Sequence, residues 1–176
     1  PDGLVTGVQT CALPIWSVLE DDFGPLGKDV RGPHIIESPG LRAHIAGEDG
    51  PAAGSFPGGA LVNPAALALG IDSDDFLALV SHALAHNWFS DDLYPEPDAA
   101  IGMGEGLPEY AAIVIDEAQG GEGARRRHIE KFLSEFDGAQ SRAAEIPLGV
   151  ITPADSLPQR RIALAKAPLF FAALED

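Results

Sequence analysis

The chain has 176 residues, enough for one domain with a substantial core. Its 27 acidic against 11 basic side chains leave a net charge of −16, which repels phosphate backbones and anionic bilayers and so argues against nucleic acid or a membrane surface as partner. No apolar run approaches the ~20 residues of a membrane span, and no segment has the layout of a signal peptide.

Taken from the N-terminus, Val5-Thr6-Gly7-Val8-Gln9-Thr10-Cys11-Ala12-Leu13-Pro14-Ile15 resembles the translation of a common sequencing-library adapter; its last five residues read directly from TGT GCT CTT CCG ATC. Residues 1–16 are therefore expected to be non-native and are set aside, as an expression tag would be. Cys11 goes with them, so the remaining chain holds no cysteine, which excludes disulfides and thiolate metal sites. Residues 17–32 read as a linker or short helix, and residues 33–176 as the domain itself. Within it, His34-Ile35-Ile36-Glu37, Leu41-Arg42-Ala43-His44-Ile45 and Gly59-Ala60-Leu61-Val62-Asn63 are short runs bounded by Gly and Pro, the pattern of strands joined by turns. Residues 47–54 read as a flexible loop.

The helices follow. Asp72 or Ser73 caps a predicted helix whose first turn holds Asp74 and Asp75, complementing the helix dipole. Leu77, Val80, Leu84 and Trp88 recur at helical spacing as its core face, and His82 and His86 fall on the opposite side. A breaker-rich loop, residues 91–98, precedes a second predicted helix from Glu105 to Gln119, with Pro108 tolerated in its first turn and Gly120-Gly121 as its stop. A third is expected from Ala124 to Phe136 and a fourth from Pro158 onward. The apolar run Leu169–Leu174 has no stop after it, the pattern of a domain truncated at its C-terminus. The expected class is α+β: a few strands, then a helical block.

The chemistry concentrates in that block. Histidines at i and i+4 lie one above the other on a helix face, about 6 Å apart at Cβ, and can grip one metal ion together. Glu105, separated from His86 by eighteen residues, supplies a carboxylate from the next helix. Two imidazoles and a carboxylate are a zinc ligand set that leaves a fourth position open for water or substrate. One zinc ion held by His82, His86 and Glu105 is the cofactor expected. Asp91 and Glu109 are candidates to receive the second N–H of the metal-bound imidazoles.

The motifs His82-x-x-x-His86-Asn87-Trp88-Phe89 and Glu105-Gly106-Leu107-Pro108-Glu109-Tyr110 resemble the zinc site of the aminopeptidase N family, gluzincins with a thermolysin-like catalytic domain. That family reads H-E-x-x-H-x-W-F, eighteen residues, then E-G-x-x-E-Y. Gly59-Ala60-Leu61-Val62-Asn63 is similar to its G-A-M-E-N strand, and Leu164-Ala165-Lys166-Ala167 to its Y-x-K-G helix start. The resemblance spans most of residues 33–176 and implies a partial thermolysin-like domain. It assigns the metal to His82, His86 and Glu105, and substrate contacts to Gly59, Ala60 and Asn63.

The departures fall on the chemistry. The family's general base is Ala83 here, its amino-terminus-recognising Glu is Val62, and its oxyanion-stabilising Tyr is Leu164. Losing a general base costs about 10²–10⁴ in rate, and losing an oxyanion donor about 10²–10³. Asp75, His34, His44 and His128 are the substitute bases to consider. Two functional readings follow. The first is a pseudoenzyme that keeps the metal ligands and binds a peptide or protein partner. The second is an active zinc-dependent hydrolase using a base from elsewhere. A purely structural zinc is the weaker third, since such sites are normally closed by a fourth protein ligand.

Overall fold

The computed structural model describes residues 6–27, 30–42, 50–89, 100–145, 147–151 and 156–175. Its class is mixed α and β, mostly helical with one small sheet. Backbone contacts divide the chain into two units, residues 1–88 and 89–176.

The first unit opens with α1, Thr6–Phe23. Ala12, Ile15, Trp16 and Leu19, at helical spacing, are its buried face. The helix runs unbroken through position 16, so the boundary expected there falls inside it, and residues 17–23 take the short-helix option. Gly24, in the left-handed region at φ 85°, ends it by donating its N–H to the Glu20 carbonyl. Three strands follow: β1 (His34–Glu37), β2 (Ala53–Phe56) and β3 (Gly59–Val62). They lie in the order β1-β3-β2, with β1 parallel and β2 antiparallel to β3. Pro57 and Gly58 make the two-residue β2–β3 turn. Gly58 sits at φ 85°, where a side chain would strain the backbone and a Cβ would strike the Arg31 carbonyl.

Two sequence expectations change here. Leu41 and Arg42 are not in a strand, and the rest of the expected strand 41–45 lies outside the described residues. The third strand is Ala53–Phe56, whose first two residues belonged to the expected loop 47–54. Its Ala-Gly-Ser-Phe composition carries no strand pattern; the Pro57-Gly58 turn and the pairing to β3 make it one.

Asn63 ends β3 and caps α2 (Pro64–Leu67) by accepting from the Ala66 N–H, with Pro64 at the first helical position. The longer α3, Asp74–Phe89, is capped by Ser73, whose Oγ accepts from the Phe76 N–H at 3.2 Å. Phe76, Val80 and Leu84 are fully buried, and Trp88 nearly so. Ser81, Ala83, Ala85, Asn87 and Phe89 are buried as well, so the second half of α3 is enclosed on most sides. Two contacts seat its end. Trp88 Nε1 donates to the Gly24 carbonyl at 2.7 Å, and the Trp16 and Trp88 rings meet edge to face at 4.8 Å.

The second unit is helical: α4 (Ala100–Gly104), α5 (Gly106–Gln140), a 3-10 turn (Leu148–Val150) and α6 (Leu157–Glu175). The two helices expected over 105–119 and 124–136 are the two arms of α5, which departs from helical geometry at Gly121 (φ 70°, ψ −174°). A single left-handed residue is too short a break to separate them. Two side-chain contacts span the kink, Arg125 to Glu117 at 3.0 Å and His128 Nδ1 to Asp116 at 2.8 Å, and Arg125 also reaches Glu175 of α6 at 2.9 Å. Arg125 is held more basic than usual by both carboxylates, which outweigh the opposing effect of its burial. Ile113 and Phe132 of α5 pack with Ala165 of α6. Gly106 lets α5 approach Ala167 of α6 more closely than any side chain would allow. Among the described residues, no helix is long and apolar enough to cross a membrane.

Candidate metal centre

His82 and His86 stand in successive turns of α3, and their spacing alone puts their rings side by side. The side chains do more than share a face. The two Nε2 atoms are 3.0 Å apart, and the rings meet edge to face at 4.7 Å and 78°. Both residues are half-buried. As neutral imidazoles, one Nε2 would donate to the other, and a metal ion held here would take up both lone pairs in place of that proton. A tetrahedron built on zinc–nitrogen bonds of about 2.0–2.1 Å has edges of roughly 3.3 Å, close to the observed separation.

Glu105 is the cap residue of α5 and is half-buried. His82, His86 and Glu105 form a group that could hold a metal ion, each offering one ligand atom. It is the one such group among the described residues. Two imidazoles with one carboxylate are a borderline-hard donor set of the kind zinc accepts. Glu109 follows Glu105 by one turn of α5, on the same helical face, and is half-buried. Asp91 lies outside the described residues.

The positions where the resemblance places other functional groups are apolar, and two of the three are fully buried. Ala83 has no exposed surface, and Val62 is 1 % exposed. Leu164 lies well inside α6 rather than at a helix start, and packs on Ile151 and Ala163. The expected substrate strand is not an edge. Gly59 and Ala60 pair with β1 on one side and β2 on the other, so the backbone of β3 is engaged along both sides. The Asn63 side chain is fully occupied within the fold: Oδ1 accepts from Ala52 and Ala66, and Nδ2 donates to the Leu41 and Gly50 carbonyls.

The substitute bases are placed as follows. Asp75 is exposed in the first turn of α3, seven residues before His82 and so roughly 10 Å away along the axis. His34 is exposed at the start of β1. His128 is buried, paired with Asp116 and stacked on Phe132 at 5.1 Å. His44 lies outside the described residues. None of the described three belongs to the His82, His86 and Glu105 group.

One residue beside the site escaped sequence reasoning. Asn87 is 3 % exposed and all its polar atoms are bonded. It stands in the motif that carries the resemblance, but nothing in the motif says where its amide points.

No family model, curated protein or solved structure matches the chain.

Proposed function

We propose that this chain is a zinc-binding domain of aminopeptidase N type whose peptidase activity is lost or very slow, and which serves to bind a peptide or protein partner. The observation that carries the reading is the meeting of the His82 and His86 Nε2 atoms at 3.0 Å, with Glu105 the third candidate ligand. Unbound histidines on a helix face do not need to bring their ring nitrogens together. The loss of activity is supported by the apolar, fully buried side chains at positions 83 and 62. Zinc bound here would polarise a carbonyl and lower the pKa of a water in the open position. The chain's own part is reduced to holding the ion, because Ala83 has no atom that accepts a proton. Neither Val62 nor Leu164 offers a polar group to a substrate.

Metal analysis of the dialysed protein tests the reading. The expected stoichiometry is one zinc per chain, and it should fall sharply in His82→Ala and His86→Ala. A stoichiometry near zero, unchanged by either substitution, overturns it.

The three-donor set also favours a second reading, because it leaves a coordination position open where a structural zinc would have a fourth protein ligand. On that reading the domain is a zinc-dependent hydrolase with a base from elsewhere. Steady turnover of aminoacyl or peptide substrates, abolished by a chelator, would decide for it.

A further inference from the structure

We propose that Asn87 is the positioning residue of the metal centre: by locking the last turn of α3 to the β2–β3 turn, it keeps His86 in register with His82. The proposal rests on the metal-binding reading of the histidine pair.

His86 occupies the last turn of α3, which ends at Phe89. Helix ends fray, and a residue there keeps its helical position only if something outside the helix holds it. Asn87 supplies that hold. Its Oδ1 accepts from the Gly58 N–H at 2.8 Å, and its Nδ2 donates to the Gly59 carbonyl at 3.2 Å and to the Leu84 carbonyl at 3.0 Å. One amide thus binds the helix to itself and to the turn. The turn in turn is tied to β1, whose His34 N–H donates to the Gly58 carbonyl at 3.0 Å. Trp88 holds the same helical turn from another side, through Gly24 and Trp16.

A chelating pair depends on this. If the last turn opens, the two Nε2 atoms separate and each imidazole binds alone. The cost of ordering His86 then falls on metal binding rather than on folding. The three side-chain bonds of Asn87 go to Gly58, Gly59 and Leu84 rather than to a ligand atom. It acts on the ligand through the backbone.

The test uses the full chain and cobalt(II) as the probe, in Asn87→Asp and Asn87→Leu. Both are close in size to Asn; the first keeps the acceptor and removes both donors, and the second removes all three bonds. Two readouts are taken at a temperature where circular dichroism shows each variant folded. One is cobalt affinity from the visible absorption titration. The other is the imidazole ¹⁵N shifts of His82 and His86 in metal-free protein. The expected result is a loss of about tenfold or more in affinity, the range seen when residues supporting metal ligands are removed. The ¹⁵N shifts should move from an asymmetric donor and acceptor pair toward averaged values. Leu19→Ala, a core truncation in α1, should lower stability and leave both readouts unchanged. Trp88→Phe keeps an aromatic ring near Trp16 and removes the bond to Gly24. It serves if both Asn87 variants fail to fold, and should weaken cobalt binding severalfold.

Asn87 variants with affinity within about twofold of wild type and unaltered shifts overturn the proposal. Wild-type protein that takes up no cobalt overturns the metal reading instead, and the ¹⁵N shifts alone then decide whether Asn87 positions the pair.

Discussion

Ala83→Glu restores the carboxylate that the resemblance places next to the metal, and the structure allows its consequence to be worked out. Ala83, Leu84 and Ala85 have no exposed surface. Adding a longer side chain to a closed position costs about 1–3 kcal/mol in overpacking. Burial also pushes a carboxyl's pKa up, and that would add roughly 3–4 kcal/mol at neutral pH, where the unfolded chain holds the group ionised. The total is of the order of the whole stability of a small unit. The sign with pH is fixed. A raised carboxyl pKa penalises the folded state above the unfolded value of about 4.3, increasingly until the folded pKa is passed, so the loss shrinks on acidification. If position 83 faces the metal group, bound zinc offsets the buried charge and recovers much of the loss.

The assay is denaturant unfolding followed by tryptophan fluorescence. Both tryptophans of the chain, Trp16 and Trp88, lie in the first unit and touch each other, so their signal reports the unit that carries position 83. A loss of stability equal at about pH 5 and about pH 7 and indifferent to zinc would mean that the new carboxylate sits in water. That result would refute the placement of Ala83 beside the metal. Hydrolysis by the zinc-loaded variant is expected to stay negligible, because Val62 and Leu164 remain.

Gly59→Ala should cost about 2–3 kcal/mol in the same fluorescence assay, because its Cβ would meet the His34 carbonyl and the Phe56 Cζ, the latter at 2.5 Å. Phe56 can swing away but the backbone of a paired strand cannot, so a loss under about 0.5 kcal/mol would contradict the β1–β3 register. Burial pushes the Cys11 thiol up from its ordinary value, with Asp72 adding to the effect. Alkylation at neutral pH should therefore be slow in the native chain and accelerate on unfolding, and equal rates would show that α1 is not packed there. The hydrogen bond and charge of Lys166 hold the Glu145 carboxyl below its usual range. That contact contributes stability above the ordinary carboxylate pKa, and the contribution fades as pH falls through the lowered value. In Lys166→Met the Glu145 carboxyl should titrate higher by side-chain ¹³C NMR; an unmoved midpoint removes the ion pair.

What was legible in the sequence is what local chemistry alone determines. The Ser73 cap with Asp74 and Asp75 behind it, the i, i+4 histidines and the glycine break at 121 all act within a few residues, and each stands where it was expected. α2 was not expected, because the strand reading ran across its cap, Asn63. β2 was not legible, because its residues have little strand preference and pairing across the hairpin makes them a strand. Nor was the engagement of Asn63 and Asn87. An amide pattern in sequence does not say which backbone groups need partners, and here Ala52, Gly58 and Gly59 are set in place by tertiary structure. The central position of β3 was hidden for the same reason.

The presence of three candidate ligands says less about a metal site than their arrangement does. Positions 83 and 62 are dry, and a carboxylate kept there without a proton to transfer or an amine to bind would destabilise the fold. Ala83 and Val62 place no such burden on the fold. His82 and His86 are only half-buried, and imidazoles in such positions are inexpensive to keep. Their presence therefore says little by itself. Their arrangement says more. Bringing two ring nitrogens to 3.0 Å and pinning the helical turn beside them with Asn87 and Trp88 orders the side chain that a lone surface histidine would leave mobile. A metal ion rewards that order, since each rotamer fixed before binding no longer has to be fixed by it. The Asn87 variants thus test the ordering of the ligands with every donor still in place, which removal of a histidine cannot separate from the loss of a donor.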